Sequence, residues 1–167
     1  TSLADIARAM LVEAIGATYE LDIALIRLSD RETDAEGGYV ALAPTPAITA
    51  ASLLSTELEG MPASAAAPLA EALVEVANWL SGAPVLYGDD ARADRTARDP
   101  VNPANYLSPF TSPCRPVTIA LVTAGQPSQD EGAHLAVERL PGFSALTGGC
   151  GASCLPQLAS WLSRSDL

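Results

Sequence analysis

Three cysteines, a single histidine and a run of alternating acids and arginines are the residues of this chain with chemistry to offer. Cys150 and Cys154 stand close together, Cys114 lies apart from both, and His134 is the only histidine. Two residues at i and i+4 inside a helix hold their Cβ atoms about 5–6 Å apart, beyond the ~3.5–4.5 Å that a disulfide spans. A 150–154 bridge therefore requires Cys150 to lie outside the helix, which Gly148, Gly149 and Gly151 permit. Pairing of Cys114 with either partner, or three buried thiols, stays open at this point. Three cysteines and a distant histidine fall short of a zinc ligand set. No Gly-x-Ser-x-Gly elbow occurs, and no serine or cysteine has a neighbouring base to activate it. Gly148-Gly149-Cys150-Gly151 lacks the lysine and the preceding strand of a phosphate loop. The chain is not expected to be an enzyme.

The stretch that must position any site is Val117 to Pro127, reading V-T-I-A-L-V-T-A-G-Q-P. Val117 to Val122 is apolar and β-branched, as in a strand buried on both faces. It breaks at Thr123-Ala124-Gly125, before Pro127. Ligands and metals gather just past the carboxyl end of a parallel strand. A site there would call for a carboxylate, and the central residue is an alanine.

Composition narrows the classes further. The length of 167 residues suits one domain with a real core. The net charge of -11 arises mainly from scarce cations, all of them arginine. Such a chain repels phosphate backbones and carries no basic stripe, which sets nucleic acid aside. No apolar run approaches the ~20 residues of a membrane span, and no signal peptide is visible.

Periodicity supplies the remaining elements. Leu3, Ile6, Ala7, Met10, Leu11, Ala14 and Ile15 share a helical face that Gly16 ends. Strands are expected at Leu21–Leu28 and Tyr39–Ala43, paired as a hairpin because their connection is too short for a helix. Pro44 and Pro46 stop the second. Helices follow at Ile48–Leu58 and Ser64–Gly82, the latter with Pro68 in its first turn and Leu69, Leu73, Val76 and Leu80 on its core face. Trp79 beside that stripe reads as packing. From about 82 to 116 the chain is irregular and Pro-rich, and its charged half, Asp89–Asp99, reads as a solvated excursion. A helical turn is expected at Gly132–Glu138. A last helix at Ser153–Ser165 would be capped by Ser153, with Leu155, Leu158, Ala159 and Leu162 inward. Alternating strands and helices point to an α/β doubly wound sheet.

This order of elements, with A-P-L-A-E-A-L at Ala67–Leu73 and T-A-G-Q-P at Thr123–Pro127, resembles a von Willebrand factor type A domain. More narrowly it resembles the A-like domain of PilY-type type IV pilus tip adhesins and assembly proteins. The narrower likeness rests on Tyr106-Leu107-Ser108-Pro109, Cys114 and Gln126-Pro127-Ser128-Gln129-Asp130. It continues through Leu140-Pro141-Gly142-Phe143, Gly148-Gly149-Cys150, Cys154-Leu155, Trp161-Leu162 and Asp166-Leu167. The resemblance implies a mostly parallel, doubly wound (Rossmann-like) sheet with an antiparallel edge hairpin. Its central strand, bearing Asp-x-Ser-x-Ser, would precede the first helix, and further strands would follow the last. The 167 residues would then be one incomplete domain, an internal segment not stable alone, with a Pro-rich insertion at about 82–116.

Domains of this type commonly hold Mg²⁺ between three loops, a hard cation on oxygen ligands. By resemblance, the second loop's threonine is replaced by Ala67. The third loop's aspartate is replaced by Ala124, between Thr123 and Gly125. The metal-ion-dependent adhesion site is therefore expected to be degenerate, with no cofactor. Asp130 and Glu131 read as solvated carboxylates ahead of a relocated cation. The resemblance also favours the Cys150–Cys154 disulfide, leaving Cys114 free or paired elsewhere. The implied role is non-enzymatic: pilus assembly and surface or host adhesion through protein–protein contacts. Minor pilins or the rest of the pilus-tip protein would be partners, at an extracellular pilus tip reached through the periplasm. The alternative is another secreted matrix- or surface-binding module of the same type. A hydrolase on a doubly wound sheet ranks last, for want of a base.

Overall fold

The expected hairpin forms, and it organises the molecule. In the computed structural model, residues 3–17, 20–30, 36–59, 67–110, 116–123, 125–150 and 153–165 are described. Strand β1 (Asp22–Leu28) pairs antiparallel with β2 (Gly38–Pro46). The register shifts twice, between Ile23 and Leu25 and between Leu25 and Ile26. At the second shift Leu25 faces Leu42 whereas Ile26 faces Val40, so β2 carries Ala41 there as an extra, bulged residue. The bulge sends Leu42 and Val40 to opposite faces. Ile23, Leu25 and Leu42 meet one apolar cluster, and Ala24, Ile26 and Val40 meet another. That double burial explains why the alternation of a one-faced strand is missing from this run. Pro44 and Pro46 do not stop β2, which continues to Pro46 opposite Asp22. With only one ladder to satisfy, a proline is tolerated there.

Helices cover both faces. Helix α1 (Leu3–Gly16) and helix α2 (Ala47–Glu59) pack together on one side, where Val12 and Ile15 meet Ala50, Leu54 and Leu58. The wider α1 face expected from periodicity is only partly used, because Ile6 and Met10 remain exposed. Helix α3 (Leu69–Ser81) lies on the other face. Its expected core residues Leu69, Leu73, Val76 and Leu80 are all buried, and Trp79 is packed among them. The helix begins at Leu69, with Pro68 as its N-cap rather than inside its first turn, and residues 64–66 of the expected span lie outside those described. It ends at Gly82, whose φ of 70° is a left-handed conformation that suits glycine. Helix α4 (Ala133–Glu138), helix α5 (Phe143–Thr147) and helix α6 (Leu155–Leu162) complete this layer. Within α6, Leu158 and Trp161 are buried whereas Ala159 is exposed. The larger indole therefore takes the inward position assigned to the alanine. Ser153 does not cap by position, since Cys154 is the N-cap, but its Oγ accepts from Leu155 N–H at 3.3 Å.

Among the described residues helices and strands are mixed, and the sheet is two-stranded and antiparallel. One expectation fails. Residues 116–123 form no strand, and Val117, Ile119, Leu121 and Val122 are 49%, 41%, 45% and 57% exposed. An extended apolar run becomes a strand only beside a neighbour that offers ladder partners, and no described residue does so for 117–122.

The charged half of the Pro-rich region is also not a solvated excursion. Asp94 N–H donates to Val40 O at 2.8 Å, and Asp94 Oδ2 accepts from Ala43 N–H at 2.9 Å. Arg92 grips Asp30 with two bonds of 2.7 and 2.6 Å and also donates to Asp90. Buried Arg98 donates to Gly88 O at 2.6 Å and lies over the Tyr106 ring. Opposite charges interleaved along this loop are thus spent on holding it to the hairpin, which local composition does not reveal.

Candidate functional site

The loop ends that the resemblance singles out meet at the amino end of α3. Ala67 N–H donates to Ser128 Oγ and Ser128 N–H donates back to Ala67 O, both at 3.0 Å. Ala67 and the loop following Gly125 are therefore neighbours. Ala124 itself lies outside the described residues. Thr123 is exposed, and its Oγ1 is turned onto its own loop, donating to Gly125 O at 3.1 Å and accepting from Gly125 N–H at 3.2 Å.

Two residues past Ser128, Asp130 takes a role that its position along the chain does not announce. Its carboxylate accepts from Ala70 N–H at 3.1 and 3.2 Å and from Glu71 N–H at 3.2 Å. It thus serves as the acidic cap of α3, which Pro68 cannot supply. The expectation of a solvated carboxylate is corrected for Asp130, whereas Glu131 is exposed as expected. Removal of this cap by Asp130→Ala is expected to cost about 1–2 kcal/mol in urea unfolding.

Behind the cap, α3 carries two buried carboxylates. Glu71 accepts from Gly37 N–H at 2.8 Å and Gly132 N–H at 3.0 Å. Glu75 accepts from Leu86, Tyr87 and Gly88 N–H and from Tyr106 Oη–H, the last at 2.6 Å. One turn of helix thereby ties together the β1–β2 loop, the loop after α3 and the loop before α4. These glutamates were missed in the sequence because i and i+4 acids on a helix read as a solvated stripe. The only signal was their place within a helix whose other residues are almost all apolar.

The carboxylates divide by direction. Burial raises Glu71 above the usual range despite its two amide donors, and burial raises Asp130 despite Ala70 and Glu71. Their contribution to stability is full below the unfolded pKa and is lost as pH rises through the raised folded value. Asp30 is lowered chiefly by its hydrogen bond from Arg92. For Asp94, burial opposes the shift but donation from Ala43 and Thr96 outweighs it and holds the group low. Their contribution is present above the unfolded pKa and is lost as pH falls through the lowered value. The urea midpoint is therefore expected to peak in mild acid, falling on the acid side as Asp30 and Asp94 protonate and on the alkaline side as Glu71 and Asp130 ionise. Glu71→Gln should flatten the alkaline limb. A midpoint climbing steadily from pH 5 to 8 would contradict this assignment.

At the carboxyl end of β1 a cavity of about 180 Å³ opens between Ser29, Glu36, Tyr39, Tyr87, Asp89 and Asp90. The Tyr39 hydroxyl is buried without a hydrogen-bond partner among the described residues, and its ring lies beneath the Arg27 and Arg92 guanidinium groups. The cavity wall is thus acidic, with an aromatic floor.

The expected disulfide is present. Cys150 and Cys154 are bonded with Cα atoms 4.8 Å apart. Cys154 sits at the N-cap of α6, and Cys150 precedes the helix after Gly148 and Gly149, at φ 75° and 90°. Those left-handed glycines return the chain on itself and bring Cys150 off the helix, as the bridge requires. Cys114 lies outside the described residues. His134 is not distant, however. From α4 it joins the two cysteines, with the ligand atoms of all three within 4.8 Å of one another.

Mg²⁺ does not fit the residues that the resemblance assigns to it. Ala67 presents no side-chain oxygen, Thr123 is bonded within its loop, and Asp130 is committed to α3 amides. Among the described residues no helix is long and apolar enough to cross a membrane. No protein-family model, curated protein or solved structure matches this chain.

Proposed function

We propose that this chain is an internal part of a von Willebrand A-like, non-enzymatic domain of a PilY-type pilus tip protein. It docks partner proteins without a bridging metal, in pilus assembly and surface adhesion. The observation that carries the metal-independent part is the commitment of the Asp130 carboxylate to the α3 amides, beside an Ala67 that offers no oxygen. The segment-level likeness from Ala67 to Leu167 supports the family, and the Cys150–Cys154 bridge agrees with an exported protein. The apolar run 117–122 and the acidic cavity beside Tyr39 offer complementary docking chemistry, one for an extended chain and one for a cationic side chain. Minor pilins, or another part of the same tip protein, are the proposed partners.

Co-purification of the full tip protein with minor pilins tests the reading. Binding is expected to persist in EDTA, and calorimetric titration with Mg²⁺ or Mn²⁺ is expected to show no micromolar site. Loss of the complex in EDTA, or micromolar metal binding abolished by Asp130→Ala, would overturn the metal-independent mechanism. Failure to bind minor pilins under any condition would instead favour a different secreted module of the same fold type. That second reading draws on Ala67–Leu73 and Thr123–Pro127, which belong to the broader likeness.

A further inference from the structure

We infer that His134, Cys150 and Cys154 form a thiol-gated zinc site: a disulfide when oxidised, a one-histidine, two-thiolate Zn²⁺ centre when reduced. The inference rests on juxtaposition. His134 comes from α4, Cys150 from the glycine-rich turn after α5, and Cys154 from the N-cap of α6. Three segments thus converge on one point, with all ligand atoms within 4.8 Å. Tetrahedral zinc with Zn–S near 2.3 Å and Zn–N near 2.0 Å holds its ligand atoms roughly 3.5–4 Å apart. Side-chain rotation covers the difference, because His134 is exposed and Cys150 is half-buried on a glycine-rich turn. Cys154 is buried and supplies the fixed corner.

The chemistry balances as follows. Two equivalents of a low-molecular-weight thiol deliver two electrons and two protons to the Cys150–Cys154 bond. The sulfur–sulfur bond breaks, two cysteine thiols form, and the external thiols leave as their own disulfide. Zn²⁺ then displaces both thiol protons to solvent and takes a lone pair from the neutral His134 imidazole. Three protein ligands leave a fourth position for water. Reoxidation removes both thiolates, and with them the affinity for zinc. The site therefore links the compartment's redox state to the way α4 is held against α6. In a reducing compartment the segment can be closed by metal, and in an oxidising one by the disulfide. None of this depends on the pilus assignment.

The test uses the full chain in a Cys114→Ser background, so that only the pair in question can react. After reduction with a phosphine and its removal, zinc is titrated against a chromophoric chelator. One equivalent should bind to reduced protein and none to oxidised protein. Cys150→Ser should abolish binding, and His134→Ala should weaken it at least tenfold while leaving the oxidised fold, followed by far-ultraviolet circular dichroism, unchanged. Cobalt substitution should show thiolate-to-metal charge transfer, and bound zinc should protect both thiols from alkylation. If reduction loosens the fold, zinc should restore it. Equal zinc binding by oxidised protein, no binding by reduced protein, failure of zinc to restore a loosened fold, or an unchanged affinity in His134→Ala would each overturn the proposal.

Discussion

Glu75→Ala is expected to destabilise the chain by about 4 kcal/mol or more, among the largest effects of any single substitution. The side chain is fully buried and its two oxygens serve four donors: Leu86, Tyr87 and Gly88 N–H, and Tyr106 Oη–H. Truncation leaves these donors without their acceptor in a water-poor place, and each orphaned donor costs about 1–3 kcal/mol. The sum is not additive, since the loop 86–88 can shift toward solvent and recover part of it. Glu75→Gln should cost less, about 2 kcal/mol, because one oxygen survives while the new amide group faces donors. Tyr106→Phe should be milder still, since the carboxylate keeps its backbone partners. Urea unfolding orders the three variants, and amide hydrogen exchange at 86–88 should accelerate in Glu75→Ala ahead of the rest of the chain. A Glu75→Ala variant within about 1 kcal/mol of the parent would mean that the loop does not hang on this carboxylate.

The second large effect is Trp161→Ala, with an expected cost of about 3–5 kcal/mol. Trp161 is 1% exposed, in the same cluster as Val137, Phe143 and Leu158, and its Nε1–H donates to Pro141 O at 3.1 Å. It is the residue through which the α4–α6 end of the molecule closes over α3. Its loss opens a cavity at the junction of elements that are themselves too short to be stable alone. Trp161→Phe restores most of the apolar area but leaves the Pro141 carbonyl without its donor, so about 1–2 kcal/mol should remain. Trp79 persists as a fluorescent reporter for the denaturation curves. A cost below about 1 kcal/mol for Trp161→Ala would show that this end of the chain is loosely packed.

The elements legible from residue order are those whose patterns are local. The apolar stripe Leu69, Leu73, Val76 and Leu80 names one buried face of α3, since 3.6-residue periodicity is a property of one helix, but not the burial of its opposite side. The β1–β2 hairpin follows from two apolar runs joined by a polar segment too short for a crossover. The glycines before Cys150 state in advance how a four-residue spacing can close a disulfide. Val117–Val122 shows the limit of such reasoning. Its residues have every intrinsic preference of a buried strand, yet a strand is a relation between chains of atoms, and the described residues supply no second party.

By itself, the order of residues determined the hairpin, the main helices, the alanine at position 67 and the glycine turn that lets Cys150 reach Cys154. Each follows from backbone preference or side-chain chemistry within a few residues. Only the tertiary structure decided that Asp130 caps a helix 60 residues earlier, that Glu71 and Glu75 bind loops rather than water, and that His134 stands beside a disulfide. A carboxylate or an imidazole has the same local sequence whether it is solvated or buried. Which partner it finds is fixed by the packing of distant segments, where the cost of an unpaired buried polar group selects the arrangement.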